Sequence, residues 1–387
     1  MIEFLQSLNP FHRKKGYAPL NPIPLFLYSR LWIFVKIGVL VLILLSLAYF
    51  LHPSAKDAAT QYLAIYGHIP SIVHYIYIKR DSDSTINMHF AHFLSLYASV
   101  MYIKPSKIYL YTDYNQTEIQ SAIETGNMWT RKVFTTFPNL LQINHIRVPQ
   151  FAGSDVMRPI EAIQHKSDVL RWEEVSRIGG IYIDWDVVPL KSLTPLQNAG
   201  FAFVAGRQYG GAEEGGAING TINNGAFLTK PNSALTRLMV RGQMAAFNGA
   251  WAFNLQLLTQ IAERLVSIPN EVLILDRNAF APTHWFQDSK DALFKTHGTA
   301  SPEPITTDST DPIIRYDTIV KNRRTRKDWE MDFSATYLLH AFGQGQHNEW
   351  ITPKKILSRT SNYGVATWPI VKKMVADGLV AGIEDSD

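Results

Sequence analysis

The chain has 387 residues, 46% of them hydrophobic, which is enough to fill a sizeable core in one large domain or two ordinary ones. The net charge of +4 is mild, and Arg13, Lys14, Lys15 and Arg30 put part of it in an N-terminal tail, so no clustered basic face argues for nucleic acid. With no cysteine, the chain has no disulfides, zinc-thiolate centres or cysteine nucleophiles.

The first element is LWIFVKIGVLVLILLSLAYFL, residues 31–51, an apolar run with the single charge Lys36 near its start. As a helix it reaches about 30 Å, the thickness of a hydrocarbon core. Lys36 can snorkel to the headgroups. Ser46-Leu47-Ala48 is small-x-small, as in a cleaved signal peptide, but the long leader and overlong run argue against cleavage. The expectation is a transmembrane signal anchor at 31–51, after a cytosolic tail at 1–30 and before a stem at 52–68. The basic residues precede the span, and only Lys56 follows closely, so the positive-inside bias predicts a type II protein with the bulk of the chain luminal. Asn115-Gln116-Thr117 and Asn219-Gly220-Thr221 are glycan acceptor triplets, which chance also supplies in a chain of this length.

Beyond the stem, HIPSIVHYIYIK predicts a first strand over Ile72 to Ile78, followed by a helix near Met88 to Val100 and a strand over Lys107 to Tyr111. A helix near Thr117 to Glu124 and a strand near Ile143 to Val148 come next. Strands alternating with helices predict βαβ units and a largely parallel sheet, whose ligands bind beyond the carboxyl ends of the strands. TASPEPITTDSTD, residues 299–311, reads as an exposed loop.

The chemistry concentrates in SDVLRWEEVSRIGGIYIDWDVVPL, residues 167–190. Ser167 suits an N-cap, and a helix over Asp168 to Ile178 puts Asp168, Arg171, Val175 and Ile178 on one stripe. Its apolar half can dock on a sheet while Asp168 and Arg171 reach past the sheet edge. Gly179-Gly180 stops the helix, and Ile181-Tyr182-Ile183 forms a buried strand. Alternation then sends Asp184 and Asp186 to one face and Trp185 to the other. Two carboxylates at a strand end suit Mg²⁺ or Mn²⁺ that also ligates a diphosphate, and Arg171 can meet a phosphate or sugar hydroxyl. The plain alternative is a first-turn Asp168 favouring the helix dipole with Arg171 as its surface partner. The conjunction of S-D-x-x-R, helix, Gly-Gly, strand and D-x-D favours the functional reading.

This run resembles the DXD-motif glycosyltransferase family that includes fungal α-1,6-mannosyltransferases, inositol-phosphorylceramide mannosyltransferases and α-1,4-galactosyltransferases. HIPSIVHYIY, residues 68–77, resembles that family's first strand, with Tyr75 where Gln is usual and Tyr77 where Trp is usual. The resemblance implies an α/β, Rossmann-like A-type glycosyltransferase fold with a mostly parallel central sheet flanked by helices. It implies a catalytic domain at 69–350, leaving 351–387 as a C-terminal extension. The implied activity is retaining transfer of a hexose from a GDP- or UDP-sugar, with Mn²⁺ or Mg²⁺, to a glycan or glycolipid. Asp186 and Asp184 would hold the metal. Asp168, Arg171, Tyr77 and Asn223 would bind the donor. Asn223-Asn224-Gly225-Ala226-Phe227 resembles the family's segment before a second strand, which makes Asn224 a catalytic candidate. The family's late site histidine corresponds to His340, at the end of an apolar strand, or to His347, three residues before Trp350.

RQYGGAEEGGAINGTINNGAFLTKPNS, residues 207–233, reads as a glycine-rich lid with Glu213 and Glu214, or as a surface loop with solvated acids. Among the tryptophans Trp172, Trp251, Trp285 and Trp329, core positions are the rule, though one can serve as a stacking platform for acceptor sugar. Two rival classes remain. An apolar strand followed by D-W-D also fits a haloacid-dehalogenase-type phosphatase, but no G-D-x-x-x-D or D-D pair follows residue 186 to complete its metal site. A membrane protein that binds nucleotide sugar without turnover would show the same acids. The expected location is the Golgi membrane.

Overall fold

The structure is a computed structural model that describes residues 35–43, 46–47, 67–153, 157–210, 220–343 and 348–381. The chain divides into two compact units, Met1–Ala59 and Thr60–Asp387. Within the first, residues 35–43 and 46–47 are helical with exposed side chains. The remainder of the expected span, the tail and most of the stem lie outside the described residues. Among the described residues no helix is long and apolar enough to cross a membrane.

The second unit is mixed α/β. Its main strands are β1 (Ile72–Ile76), β2 (Lys107–Thr112), β3 (Leu141–His145), the short pair β4 (Phe151–Ala152) and β5 (Arg158–Pro159), β6 (Gly180–Ile183), β7 (Val187–Pro189), β8 (Phe203–Arg207), β9 (Ile222–Thr229), β10 (Val272–Leu275) and β11 (Leu338–His340). Seven of them form a central sheet in the order β10-β8-β9-β6-β1-β2-β3. All its pairings are parallel except those of β9, which runs antiparallel to both β6 and β8. The sheet is therefore mostly parallel, as expected. The reversed strand returns from β8 through the glycine-rich segment, an arrangement that strand periodicity cannot reveal.

Alternation along the central strands feeds two cores. Ile181, Ile183, Val204 and Leu228 face one side, with helix α1 (Phe90–Ile103) contributing Phe90, Phe93 and Leu94. Tyr182, Phe203 and Phe227 face the other, covered by α2 (Ile163–Ile178), α3 (Ala234–Ala246) and α4 (Phe253–Leu265). Trp172 of α2 lies flat on Phe227 with centroids 4.4 Å apart, which docks the helix on the sheet. Two later helices, α5 (Pro353–Ser358) and α6 (Asn362–Ala376), place Ile356, Tyr363, Trp368 and Met374 in the same core as Phe93, so the stretch after residue 350 packs with the sheet domain.

Two local expectations change. Helix α2 starts at Ile163 with Ala162 at its N-cap, so Ser167 lies inside the helix and Asp168 is not in its first turn. The apolar Ile163 and the buried His165 extend the helical pattern backwards, and the macrodipole alternative for Asp168 falls away. Strand β6 ends at Ile183, so the acids do not ride a strand. Asp184 to Val187 form a turn closed by the Val187 N–H donating to the Asp184 carbonyl at 3.0 Å, and β7 starts at its last residue.

Candidate functional site

The site lies at the carboxyl ends of β1 and β6 and the amino end of the reversed strand β9, in a cavity of about 1330 Å³ lined by Tyr77, Asp168, Arg171, Asp184, Asp186, Asn223, Asn224 and His340 among others. Its floor is the β6–β7 turn. Although the acids leave the strand, the turn still separates them from Trp185, which stacks on Tyr75 at 4.2 Å, donates its indole N–H to the Ile76 carbonyl and lines another part of the cavity.

Arg171 is the centre of one half of the cluster and is only 3% exposed. It pairs with Asp168 at 3.1 Å and Asp184 at 3.2 Å, donates to the Asn224 carbonyl at 2.6 Å, and covers the Tyr182 ring at 4.6 Å. Its remaining N–H groups point to Ser167. The guanidinium is thus occupied by protein, and its place is to hold the acids rather than to reach a phosphate. Burial opposes its charge, but Asp184, Tyr182 and Asp168 outweigh burial and keep it protonated. The Tyr182 hydroxyl donates to the other Asp184 oxygen. Burial raises the Asp184 carboxyl despite Arg171. Burial likewise pushes Asp168 up to about 6, with Arg171 and the Asn224 amide, which donates at 2.8 Å, pulling the other way.

The second half depends on a ribbon. β11 pairs antiparallel with β7 so that His340 stands opposite Val187, and the Ala341 N–H donates to the Asp186 carbonyl at 2.8 Å. This pairing puts His340 Nε2 at 3.2 Å from Asp186, whose second oxygen accepts the Gly343 N–H at 2.9 Å. Burial works against the Asp186 charge, yet His340 and the Gly343 N–H hold this carboxyl down at about 2. The Gly225 N–H donates to the Asn223 oxygen at 2.9 Å, which turns the Asn223 amide towards Gln208 at 2.8 Å and His340 Nδ1 at 3.0 Å. Asn223 is therefore a buried support for His340. Asn224 is fixed differently: Trp172 donates its indole N–H to Asn254, whose oxygen also accepts from the Asn224 amide at 3.1 Å. That orientation leaves the Asn224 oxygen with no hydrogen-bond partner among the described residues, on the cavity wall.

Asp184, Asp186 and His340 offer ligand atoms within 4.8 Å of one another. Two carboxylates and one imidazole form a donor set that fits a divalent ion such as Mn²⁺, which accepts both oxygen and nitrogen. Tyr77 lines the same cavity, with its ring beside Tyr114 and its hydroxyl donating to the Asn87 carbonyl at 3.0 Å. His347, Glu213 and Glu214 lie outside the described residues, as does Asn219 of the second glycan triplet. Asn115 of the first is an exposed helix cap whose side-chain oxygen accepts the Glu118 N–H. Trp172 and Trp329 are engaged in packing, while Trp251 and Trp285 are exposed on the cavity wall.

Sequence reasoning missed Tyr182, Gly225, Asn254 and the Gly343 N–H. Tyr182 carried a readable signal, since it stands two residues before Asp184 on a strand and shares its face. Gly225 did not: a Cβ there would lie 2.7 Å from His340 Cε1 and 2.9 Å from the Asp184 carboxylate, a constraint set by distant parts of the chain.

Residues 91–201 match the family described as a glycosyltransferase sugar-binding region containing DXD motif. The match includes Asp168, Arg171, Asp184 and Asp186, and it stops short of Tyr77, Asn223, Asn224 and His340. Glucan organizing enzyme 1 of Cryptococcus neoformans var. grubii is 25% identical over 236 residues, 60% of this chain and 58% of that protein. The chain thus spans less than two thirds of the length of this relative. Among solved structures, the glycosyltransferase GlyE of Streptococcus pneumoniae TIGR4 is 12% identical, with a TM-score of 0.36 over 80% of this chain and 64% of that one. The galactosyltransferase LgtC, in complex with donor and acceptor sugar analogs, is 11% identical with a TM-score of 0.35 over 78% and 95%. The family match falls on the acids that carry the sequence resemblance.

Proposed function

We propose that the chain is a metal-dependent, retaining hexosyltransferase that moves a hexose from a GDP- or UDP-sugar to a glycan or glycolipid. The observation that carries this reading is the convergence of Asp184, Asp186 and His340 within 4.8 Å on the floor of a cavity also lined by Asp168 and Arg171. Asp186, Asp184 and His340 would hold Mn²⁺ or Mg²⁺, which would supply electrostatic stabilisation to a departing nucleoside diphosphate. The protein's part is pre-organisation. Arg171 and Tyr182 hold Asp184, and the Gly343 N–H holds one oxygen of Asp186, before any donor arrives. The Asn224 oxygen and the Asp168 carboxylate face the cavity as acceptors for hydroxyls of the donor sugar. Retention is inferred from the family resemblance alone.

A phosphatase using Asp184 as nucleophile fits less well, because the third member of the cluster is His340 and not the further acid that such a metal site uses. The discriminating experiment is a thermal-shift panel of nucleotide sugars with and without Mn²⁺, since a ligand that binds only the native state raises its apparent stability. Stabilisation by a UDP- or GDP-hexose that requires the metal supports the transferase. Stabilisation by phosphomonoesters with Mg²⁺, and by no sugar donor, supports the phosphatase.

The same proposal includes a Golgi membrane anchor through residues 31–51 with the catalytic unit luminal, supported by the long apolar run and the basic tail before it. Protease treatment of sealed vesicles checks the orientation: the catalytic unit should be protected, and its digestion would reverse the topology.

A further inference from the structure

We propose that the cavity contains a separate acceptor subsite, walled by Trp285, Phe342 and Tyr209, that binds the acceptor as a carbohydrate ring stacked on Trp285. The inference rests on the transferase reading and adds to it which wall of the cavity, and which residues, hold the acceptor.

The size of the cavity is the first argument. Pockets for one drug-sized ligand run about 300–1,000 Å³. At about 1330 Å³ this cavity has room for a second ligand beside a nucleotide sugar.

The second argument is how the aromatic wall is built. Trp285 is 40% exposed on the cavity wall, with its neighbour Phe286 also exposed, so the two form an apolar patch beside the site. Trp285 is nevertheless held in place. Phe342 meets it edge-on at 5.9 Å and Tyr209 at 6.4 Å, and Tyr209 is itself stacked on His284 at 4.3 Å. Two residues before Trp285, the Thr283 hydroxyl donates to the His340 carbonyl at 2.6 Å, which ties this loop to the end of β11.

Phe342 is the third argument. Its φ of +48° lies in the left-handed region, where a bulky aromatic is an outlier. Such strain persists only where surrounding contacts impose it, and it concentrates at functional sites. Here the strained backbone does two things at once. It lays the Phe342 ring on His340 with centroids 3.8 Å apart, and it sends the next N–H, that of Gly343, to Asp186. A continuous aromatic path therefore runs from the proposed metal cluster to Trp285.

A pyranose presents an apolar face of C–H groups that suits the electron-rich face of an indole, whereas its hydroxyls point sideways to water or polar neighbours. A nucleobase also stacks, but its recognition needs hydrogen-bonding groups around its edge. At this wall the side chains of Gln208 and Thr221 are bonded to each other, and Gln208 also accepts from Asn223. The wall therefore fits a sugar face better than a base.

The test uses the full chain with Mn²⁺ and whichever of UDP or GDP shifts its melting temperature. Saturation-transfer NMR is recorded with mannobiose, laminaribiose, cellobiose and lactose. At least one disaccharide should bind the wild type. Trp285→Ala should weaken that binding about tenfold, Trp285→Phe should largely preserve it, and both should keep the nucleotide-induced thermal shift. Sugar binding unaffected by Trp285→Ala overturns the proposal. So does loss of the nucleotide shift in both variants, which assigns the wall to the nucleotide, and so does the absence of binding by all four sugars to a wild type that binds nucleotide. A wild type that binds sugar at Trp285 but shows no metal-dependent nucleotide shift keeps the subsite and removes the transferase reading.

Discussion

Strand β6 begins in one buried polar knot and ends in another, and the two are built on opposite principles. At its start His74 receives the Tyr111 hydroxyl on Nδ1 at 3.0 Å and donates from Nε2 to the Gly179 carbonyl at 2.8 Å. Gly179 and Gly180, with φ of +69° and +121°, make the tight entry that this contact clamps, and a Cβ on Gly180 would collide with the Ile72 carbonyl and with His74. Both His74 ring nitrogens have protein partners, and burial disfavours the charged form of the ring. At the other end Arg171, Asp168 and Asp184 are charged, and the cluster opens through Asn224, Asp168 and Asp186 onto a cavity. A buried polar group that is closed on itself stabilises the fold. One that keeps acceptors aimed at empty space is waiting for a ligand.

The strongest way to break this contrast is Asp186→Asn. It removes one carboxylate charge while preserving shape, so metal-dependent transfer should fall by about a thousandfold or more, with circular dichroism unchanged. Transfer at the wild-type rate, measured with any donor found in the thermal-shift panel, would sink the metal reading. Arg171→Met comes next. It leaves Asp168 and Asp184 buried without their cation, so the urea midpoint should reveal a loss of about 3–5 kcal/mol. A loss below 1 kcal/mol, within the range of an exposed pair, would mean the acids are far better hydrated than their burial implies.

The neutral knot predicts a pH effect instead. Burial drives the His74 pKa down from 6.5 to about 4, with the Gly179 contact opposing the shift. Between these values the unfolded chain binds a proton that the native chain refuses, so stability falls as pH is lowered from 6.5 towards 4. The expected loss is about 3 kcal/mol, and it should disappear from the pH profile of His74→Gln. Equal slopes in the two proteins would refute the closed, neutral picture. The smallest effect is expected for Gly225→Ala, whose added methyl must displace His340 or Asp184. A stability cost of about 1–3 kcal/mol should accompany a clear drop in Mn²⁺ affinity, and calorimetric titration of Mn²⁺ distinguishes this from destabilisation alone.

The two knots also differ in how far the sequence discloses them. Asp168, Arg171, Asp184 and Asp186 lie within twenty residues, and helix and strand periodicities suffice to bring them together, even though the last step is a turn instead of continued strand. His340 could be proposed only as a histidine ending an apolar strand, because its position depends on β11 pairing with β7. That Asn223 supports this histidine is not legible for the same reason: its amide is oriented by the Gly225 N–H two residues along β9 and by Gln208 just after β8. Local pattern shows which residues are chemically equipped. Long-range register decides which of them meet.

That register has a consequence for biosynthesis. The Gly343 N–H that fixes Asp186 lies 157 residues further along the chain. At about 5–20 residues per second the ribosome delivers it roughly 8–30 s after Asp186 has emerged. During that interval the sheet's first strands and α2 can already associate, while Asp186 lacks both His340 and its backbone donor. Completion of the proposed ion site is therefore among the last events for the nascent polypeptide, and a product terminated before β11 would lack both His340 and the Gly343 N–H.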